Sequence, residues 1–222
     1  MDKAELKKRY EAVLENVKKY GAEGAQLLLA TKMQTAEDIN YLIELGADLI
    51  GENKVNELLD KYESYDKRAR VHFIGTLQSN KVKYIVDKVD LIHSVDKLSL
   101  LAEIDKRSAK IGKTMDVLLE VNSGREESKG GIFPEDVCEF YEKTKEFKNV
   151  RVCGLMTMAP KCQGREEYLK YFGLTKELFD LLFSGQEGAI LSMGMSESYV
   201  YALEAGANLV RVGSKIFGER IY

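Results

Sequence analysis

Short apolar runs and longer amphipathic segments alternate along the chain. The first run comprises residues 26–32, in which Leu27, Leu28 and Leu29 are followed by Ala30 and then by the polar pair Thr31-Lys32. A short continuous apolar run is typical of a strand that is buried on both faces, as in a parallel sheet. Before it, residues 2–20 carry apolar side chains spaced among many lysines and glutamates, which predicts an amphipathic surface helix.

The same alternation continues to the end of the chain and predicts eight strands joined by seven helices. The predicted strands are 26–32, 47–51, 71–75, 89–93, 115–122, 150–156, 189–192 and 207–213. The predicted helices are one capped by Thr35 and ending at Gly46, then 54–62, 79–86, 97–111, one opening at Pro134, 166–183 and 197–205.

Strands that alternate with helices imply βαβ units and a parallel sheet. Eight such units favour a closed barrel, whereas an open doubly wound sheet would normally show a Gly-rich fingerprint after its first strand, and none is present. The predicted fold is therefore α/β: a (β/α)8 TIM-type barrel with an additional N-terminal helix. Residues 1–222 are predicted to form a single domain.

Composition narrows the class of protein. The chain has 222 residues, of which 45% are hydrophobic and 31% charged, enough for a sizeable core. A net charge of -3 without a basic tail argues against nucleic-acid binding. The three cysteines have no C-x-x-C spacing, the first segment is charged, and no apolar run reaches membrane-spanning length. We therefore expect a cytoplasmic protein that binds no membrane.

In a barrel of this kind the carboxyl ends of the strands carry the site. Lys32 lies at the end of the first strand, where a lysine amine among apolar walls can act as a nucleophile toward an aldehyde or ketone. The alternative is an ordinary lysine that has reached solvent at a strand tip.

The loops after strands seven and eight are the usual phosphate-binding position of these barrels. Here they contain Ser192-Met193-Gly194-Met195-Ser196 and Gly213-Ser214, and residues 215–217 are predicted to form the short extra helix. The alternative is that these serines and glycines are ordinary turn residues. Arg211 lies in the eighth strand, where its charge needs either a carboxylate partner or an acceptor on a ligand.

Other polar residues near strand ends are less decisive. His72 lies within a strand, where it is either a satisfied core residue or a ligand contact; His93 is similarly undecided. Asn53 and Asn122 are plausible ligand contacts, and residues 122–133 form the longest loop that looks functional. No metal signature is present. A lysine, a phosphate cradle and an arginine on one face favour either a Schiff-base aldolase or a protein that carries pyridoxal phosphate on Lys32.

A set of short motifs follows in order along essentially the whole chain: residues 30–32, 51–53, 72–75 with 77–81, 93–96, 121–122 with 126–129, 154–157, 191–196, 210–213 and 217–220. With these motifs the chain resembles the pyridoxal phosphate homeostasis protein family, which is close in fold to the barrel domain of alanine racemases. Two departures lie in loops: Thr76 replaces a histidine common among relatives, and Gly130-Gly131 occurs where one glycine is usual.

The resemblance implies that pyridoxal 5'-phosphate is the cofactor and that Lys32 is its Schiff-base lysine. It implies phosphate binding by Ser192, Gly213 and Ser214, with Arg211 near the pyridine nitrogen. The resemblance also places these residues around the cofactor: Asn53, His72, Met156, Met193, Gly194, Met195 and Ser196.

A carrier of the cofactor is favoured over a catalyst. An arginine beside the pyridine nitrogen cannot accept its proton, which weakens the electron sink that pyridoxal phosphate enzymes use. The chain ends at Tyr222, right after the eighth strand, so we expect no second domain of the racemase kind and a site open to solvent on one side. We expect storage or delivery of the cofactor, with apo pyridoxal phosphate enzymes as recipients, no catalytic residue and a monomeric protein. The alternative is a racemase-like enzyme.

Overall fold

The computed structural model describes residues 2–218 and confirms the predicted (β/α)8 barrel. Eight parallel strands form a closed barrel in sequence order, and the eighth strand pairs with the first. They are β1 (Gln26–Ala30), β2 (Leu49–Glu52), β3 (Arg70–Phe73), β4 (Leu91–Val95), β5 (Met115–Val121), β6 (Val150–Thr157), β7 (Ile190–Ser192) and β8 (Leu209–Val212). The assignment of residues 1–222 to one domain stays a prediction, and Glu219 and Arg220 of the last family motif lie outside the described residues.

Helices surround the barrel. They are α1 (Lys3–Tyr20), α2 (Ala36–Glu44), α3 (Val55–Lys61), α4 (Leu98–Lys110), α5 (Val137–Thr144), α6 (Arg165–Phe183), α7 (Tyr199–Glu204) and α8 (Ser214–Phe217). The leading helix α1 buries Leu6, Tyr10, Val13 and Val17. The predicted cap at Thr35 is present, because its hydroxyl oxygen accepts the Asp38 backbone N–H at 3.2 Å.

One predicted helix is different in the structure. Residues 79–86 were expected to be α-helical, but the segment is a 3-10 helix over Ser79–Tyr84. Its cap residue Gln78 gives no side-chain hydrogen bond, and Val82 is its one buried residue. The segment keeps the tighter i→i+3 bonds, such as Lys81 N–H to Gln78 O at 2.9 Å, and Val82 and the following Ile85 and Val86 pack into the core. No helix within residues 2–218 is long and apolar enough to cross a membrane.

The interior of the barrel contains both apolar and polar side chains. Leu28, Leu49, Ile74 and Leu209 form one apolar cluster, against which Ala30 packs. Leu91, Leu118, Cys153 and Met156 form a second cluster. The strands also carry buried polar residues, among them His72, His93, Ser192 and Arg211.

Candidate functional site

A cavity of about 420 Å³ opens at the carboxyl ends of the strands. Six of the twelve predicted site residues line it: Asn53, Met195, Ser196, Arg211, Gly213 and Ser214. A pocket of a few hundred Å³ is the size range of small-molecule sites. The structure therefore brings residues that follow β2, β7 and β8 to one mouth, with Arg211 projecting from within β8.

Arg211 lines this cavity and carries a charge, yet it is almost fully buried, with 4% of its surface exposed. Its Nη1 donates to the Ser192 carbonyl at 2.9 Å and to the Ser192 hydroxyl at 2.6 Å, and its Nη2 donates to the Thr157 carbonyl at 3.0 Å. No carboxylate within the described residues forms an ion pair with it. Three of its five N–H donors are thus used by protein acceptors.

Burial lowers the pKa of Arg211 to about 10, and the nearby Glu120 carboxylate opposes that shift. The guanidinium nevertheless remains cationic at neutral pH. Its place in the cavity wall, with donors left over, favours the ligand-facing alternative over the structural ion pair.

A hydrogen-bonded chain runs from Arg211 into the barrel. Because arginine only donates, the Ser192 hydroxyl oxygen accepts from it, and the same oxygen lies within hydrogen-bond distance of His93 Nδ1, at 3.2 Å. His93 Nε2 in turn lies 3.1 Å from His72 Nδ1, and one of these two nitrogens donates to the other. Burial lowers the pKa of His72 to about 3 and that of His93 well below its ordinary value, so both rings are neutral.

Two of the predicted cofactor contacts, Ser192 and His72, belong to this hydrogen-bonded series of side chains and do not line the cavity. Ser192 and His72 are both buried, and their polar atoms bond within the barrel. Met156 and Met193 are also buried, and neither lines the cavity: they pack in the hydrophobic core. The role of His93 could not be decided from the sequence; in the structure it lies between Ser192 and His72 and contacts both.

The loops after β7 and β8 converge on one hydroxyl oxygen. Ser196 Oγ accepts the backbone N–H groups of Gly213 and Lys215, each at 3.3 Å. Ser214 lies between them and is exposed at the mouth. A side chain at Gly213 would place its Cβ 2.9 Å from the Ala30 carbonyl oxygen, so only glycine fits this close approach.

The turn at Gly194 shapes the same loop. Gly194 has φ +85°, which disfavours other residues, and a Cβ there would lie 2.6 Å from the Ala202 side chain. Its carbonyl accepts the Arg211 backbone N–H at 3.1 Å. The glycine therefore holds the loop after β7 against β8 and presents Met195 and Ser196 to the cavity.

Ala30 lines the cavity and lies close to Gly213, and Lys32 follows two residues later in the chain. Lys32 itself is half-buried and is not among the residues that line the cavity. The structure therefore places its backbone beside the mouth, and its flexible four-carbon stem sets where the amine can reach.

Sequence reasoning missed Glu120 and Asp96. Glu120 is buried in β5, and burial, reinforced by the Asp96 charge, raises its pKa to about 7, against an opposing effect of Arg211. Asp96 Oδ2 accepts the Gly131 backbone N–H at 3.1 Å, which fixes the end of the 122–133 loop over this acidic pair. The available signal was a glutamate placed after the apolar residues Val117, Leu118 and Leu119 of the strand.

Comparisons with known proteins show the family to which the chain is similar. The family described as alanine racemase, N-terminal domain, matches residues 2–221. The pyridoxal phosphate homeostasis protein of Aquifex aeolicus is 45% identical, over 96% of this chain and 98% of its own length. That of Helicobacter pylori is 36% identical, over 87% of each chain.

Solved structures show the same fold. PipY of Synechococcus elongatus, determined with PLP bound, superposes with a TM-score of 0.85 at 26% identity and covers 96% of this chain and 100% of that chain. An alanine racemase of Clostridium difficile in complex with cycloserine has a TM-score of 0.78 at 17% identity, over 94% of this chain and 59% of that one, which shows the shared fold alone. The chain belongs to the pyridoxal phosphate homeostasis protein family, and its barrel to the alanine racemase N-terminal domain family.

Proposed function

We propose that the protein binds pyridoxal 5'-phosphate in the cavity at the barrel mouth, as a Schiff base on Lys32, and acts in cofactor storage and delivery. The proposal rests mainly on one observation: the buried Arg211 guanidinium and the Gly213-Ser214 turn line the same cavity. The guanidinium only donates, and the turn adds backbone N–H groups and the Ser214 hydroxyl, so together they favour an anionic, acceptor-rich molecule.

The donor set fits this cofactor. At the phosphate end, two backbone N–H groups converge on the Ser196 hydroxyl oxygen, where a phosphate oxygen would find the same donors, and Ser214 adds a hydroxyl. Gly213 leaves the space that a Cβ would fill. At the other end, Arg211 retains N–H donors toward the acceptor nitrogen of a pyridine ring. Asn53 and Met195 complete the walls.

Lys32 supplies the amine of the proposed linkage. Its nitrogen would bond to an aldehyde carbon, and the carbonyl oxygen would leave as water. When bound, pyridoxal phosphate supplies that aldehyde, and in enzymes it also supplies an electron sink. The remaining N–H donors of Arg211 would bond to the ring nitrogen as an acceptor, and a nitrogen that accepts from arginine would stay unprotonated. We therefore propose little or no catalytic turnover.

Delivery requires that the cofactor can leave toward another protein. Ser214 and Met195 at the mouth are exposed, which supports exchange with solvent and with apo pyridoxal phosphate enzymes as recipients. We also propose that the protein is monomeric, which sedimentation equilibrium at several concentrations would test by showing a mass near 25.1 kDa.

An absorption spectrum tests the proposal. Protein incubated with pyridoxal phosphate and then desalted should keep a visible band, and Lys32→Ala should lose it. Lys161→Ala is the control, because it removes a different lysine amine, one that lines the cavity. A wild-type protein that retains no pyridoxal phosphate would refute the proposal, as would a Lys32→Ala protein with an unchanged band.

The second candidate function is that of a racemase-like enzyme, which the shared alanine racemase domain favours. It predicts measurable racemisation of an amino acid such as alanine by the cofactor-loaded protein. Chiral chromatography over a broad amino-acid panel distinguishes the two functions: sustained turnover would support the enzyme, and its absence would support the carrier.

A further inference from the structure

The four residues that contain Lys32 form a tight turn after β1. The Gln34 backbone N–H donates to the Thr31 carbonyl at 3.1 Å and closes the turn. Met33, directly after Lys32, has φ +63°, a left-handed backbone conformation that residues other than glycine rarely adopt. Such a conformation persists when contacts from the surrounding structure stabilise it.

Helix α3 provides the restraint. Glu57 Oε2 accepts the Met33 backbone N–H at 2.8 Å. One helical turn later, Lys61 Nζ donates to the Thr31 carbonyl at 3.1 Å and to the Gln34 carbonyl at 3.4 Å. Both sides of Lys32 are therefore fixed by two side chains of the same helix.

A buried carboxylate anchors this restraint in turn. Glu52 Oε1 accepts Lys61 Nζ, the Thr31 hydroxyl and the Tyr65 hydroxyl, each at 2.6 Å. The Glu52 side chain is fully buried, and its second oxygen has no hydrogen-bond partner among the described residues. The position of Lys61 is thus set by a charge pair that cannot easily rearrange.

We propose that Glu57 and Lys61 are positioning residues for Lys32: they hold the turn so that the lysine stem starts from one fixed backbone geometry toward the cavity. The inference rests on the proposed function, in which the Lys32 amine forms the Schiff base. When the Lys32 backbone is fixed, its flexible side chain can place the amine in fewer positions. The rate of bond formation depends steeply on where the amine lies relative to the aldehyde. Neither residue lines the cavity, so neither acts by contact with the ligand.

Glu57→Ala is the decisive variant. Removing Lys61 alone would leave the Glu52 carboxylate buried without its cation and would confuse positioning with folding. Glu57→Ala keeps that pair and removes the acceptor of the Met33 N–H. Glu57→Gln keeps an acceptor oxygen and should restore function. Asp60→Ala, an exposed carboxylate of the same helix, and Lys54→Ala, which removes the 3.7 Å pair with Glu57, are matched controls.

Two readouts separate positioning from stability. The first is amide hydrogen exchange of Met33 in protein without added cofactor, which should be about tenfold faster in Glu57→Ala than in wild type. The second is the rate of Schiff-base formation with pyridoxal phosphate, which should fall about tenfold. Binding of pyridoxine 5'-phosphate, which has no aldehyde, should stay within about twofold.

The outcomes are distinct. An unchanged rate of Schiff-base formation in Glu57→Ala, measured against a reactive wild type, would overturn the inference and leave the proposed function intact. Equal losses of Schiff-base formation and of pyridoxine phosphate binding would also overturn it, because they would indicate a general structural defect. A wild-type protein that forms no Schiff base at all would overturn the proposed function and the inference with it.

Discussion

The buried carboxyl of Glu120 provides a quantitative test of the electrostatics beneath the mouth. Its pKa is raised to about 7, first by burial and then by the negative charge of Asp96, while Arg211 opposes the rise. The proposed perturbation is Glu120→Gln, which keeps the shape of the side chain and removes its charge. We expect the substitution to stabilise the protein at alkaline pH, and to do so progressively less as the pH falls.

The magnitude follows from linkage. Glu120 has an ordinary pKa of 4.5 in the unfolded chain and about 7 in the folded protein. Between these values the folded state binds more protons, so the free energy of unfolding decreases as pH rises. Each pKa unit is about 1.4 kcal/mol, so ionised Glu120 lowers the free energy of unfolding by about 3 kcal/mol above pH 7. The lowering is about 2 kcal/mol at pH 6 and about 1 kcal/mol at pH 5.

Urea unfolding of protein without added cofactor, followed by circular dichroism at pH 5, 6 and 8, measures this difference. Any cost of burying the glutamine amide is the same at every pH, so the change in the difference between pH 5 and pH 8, about 2 kcal/mol, is the tested quantity. Glu127→Gln, an exposed carboxylate on the 122–133 loop, should show little change. A stability difference for Glu120→Gln that does not vary with pH would refute the reasoning.

Two further substitutions test the walls of the cavity. Arg211→Ala should leave the protein folded but destabilised by about 1–3 kcal/mol, because the Ser192 and Thr157 carbonyls lose buried donors. Equilibrium dialysis should show weaker retention of pyridoxal phosphate, and circular dichroism typical of an unfolded chain would contradict this. Gly213→Ala should lower stability by about 1–3 kcal/mol, because its Cβ meets the Ala30 carbonyl at 2.9 Å. An unchanged urea midpoint would show that the turn relaxes freely.

Much of the fold could be predicted from the sequence because each element carries its own local signal. The apolar run before Lys32 indicates a buried strand, and Thr35 indicates the start of a helix. The helix predicted over 79–86 is present as a 3-10 helix over Ser79–Tyr84, and the local apolar pattern does not distinguish the two helix types. The predicted extra helix after β8 is present as α8.

The site was predictable only in part. The loops after β7 and β8 are known positions of a barrel, so Gly213 and Ser214 could be proposed from their place in the chain. The bonds between Lys61 and the Lys32 turn, and the chain from Arg211 to His72, join residues far apart in sequence. No local pattern encodes such contacts, and they appear only when the barrel closes.

The most direct measurement is to treat the protein with pyridoxal phosphate, reduce with borohydride, digest, and locate the pyridoxyl group by mass spectrometry. Reduction makes the carbon–nitrogen bond permanent at whichever amine forms it. We expect the group at Lys32, at close to one per chain. A group at Lys129 or Lys161, two lysines that line the cavity, with Lys32 unmodified, would contradict the assignment of Lys32 as the Schiff-base lysine.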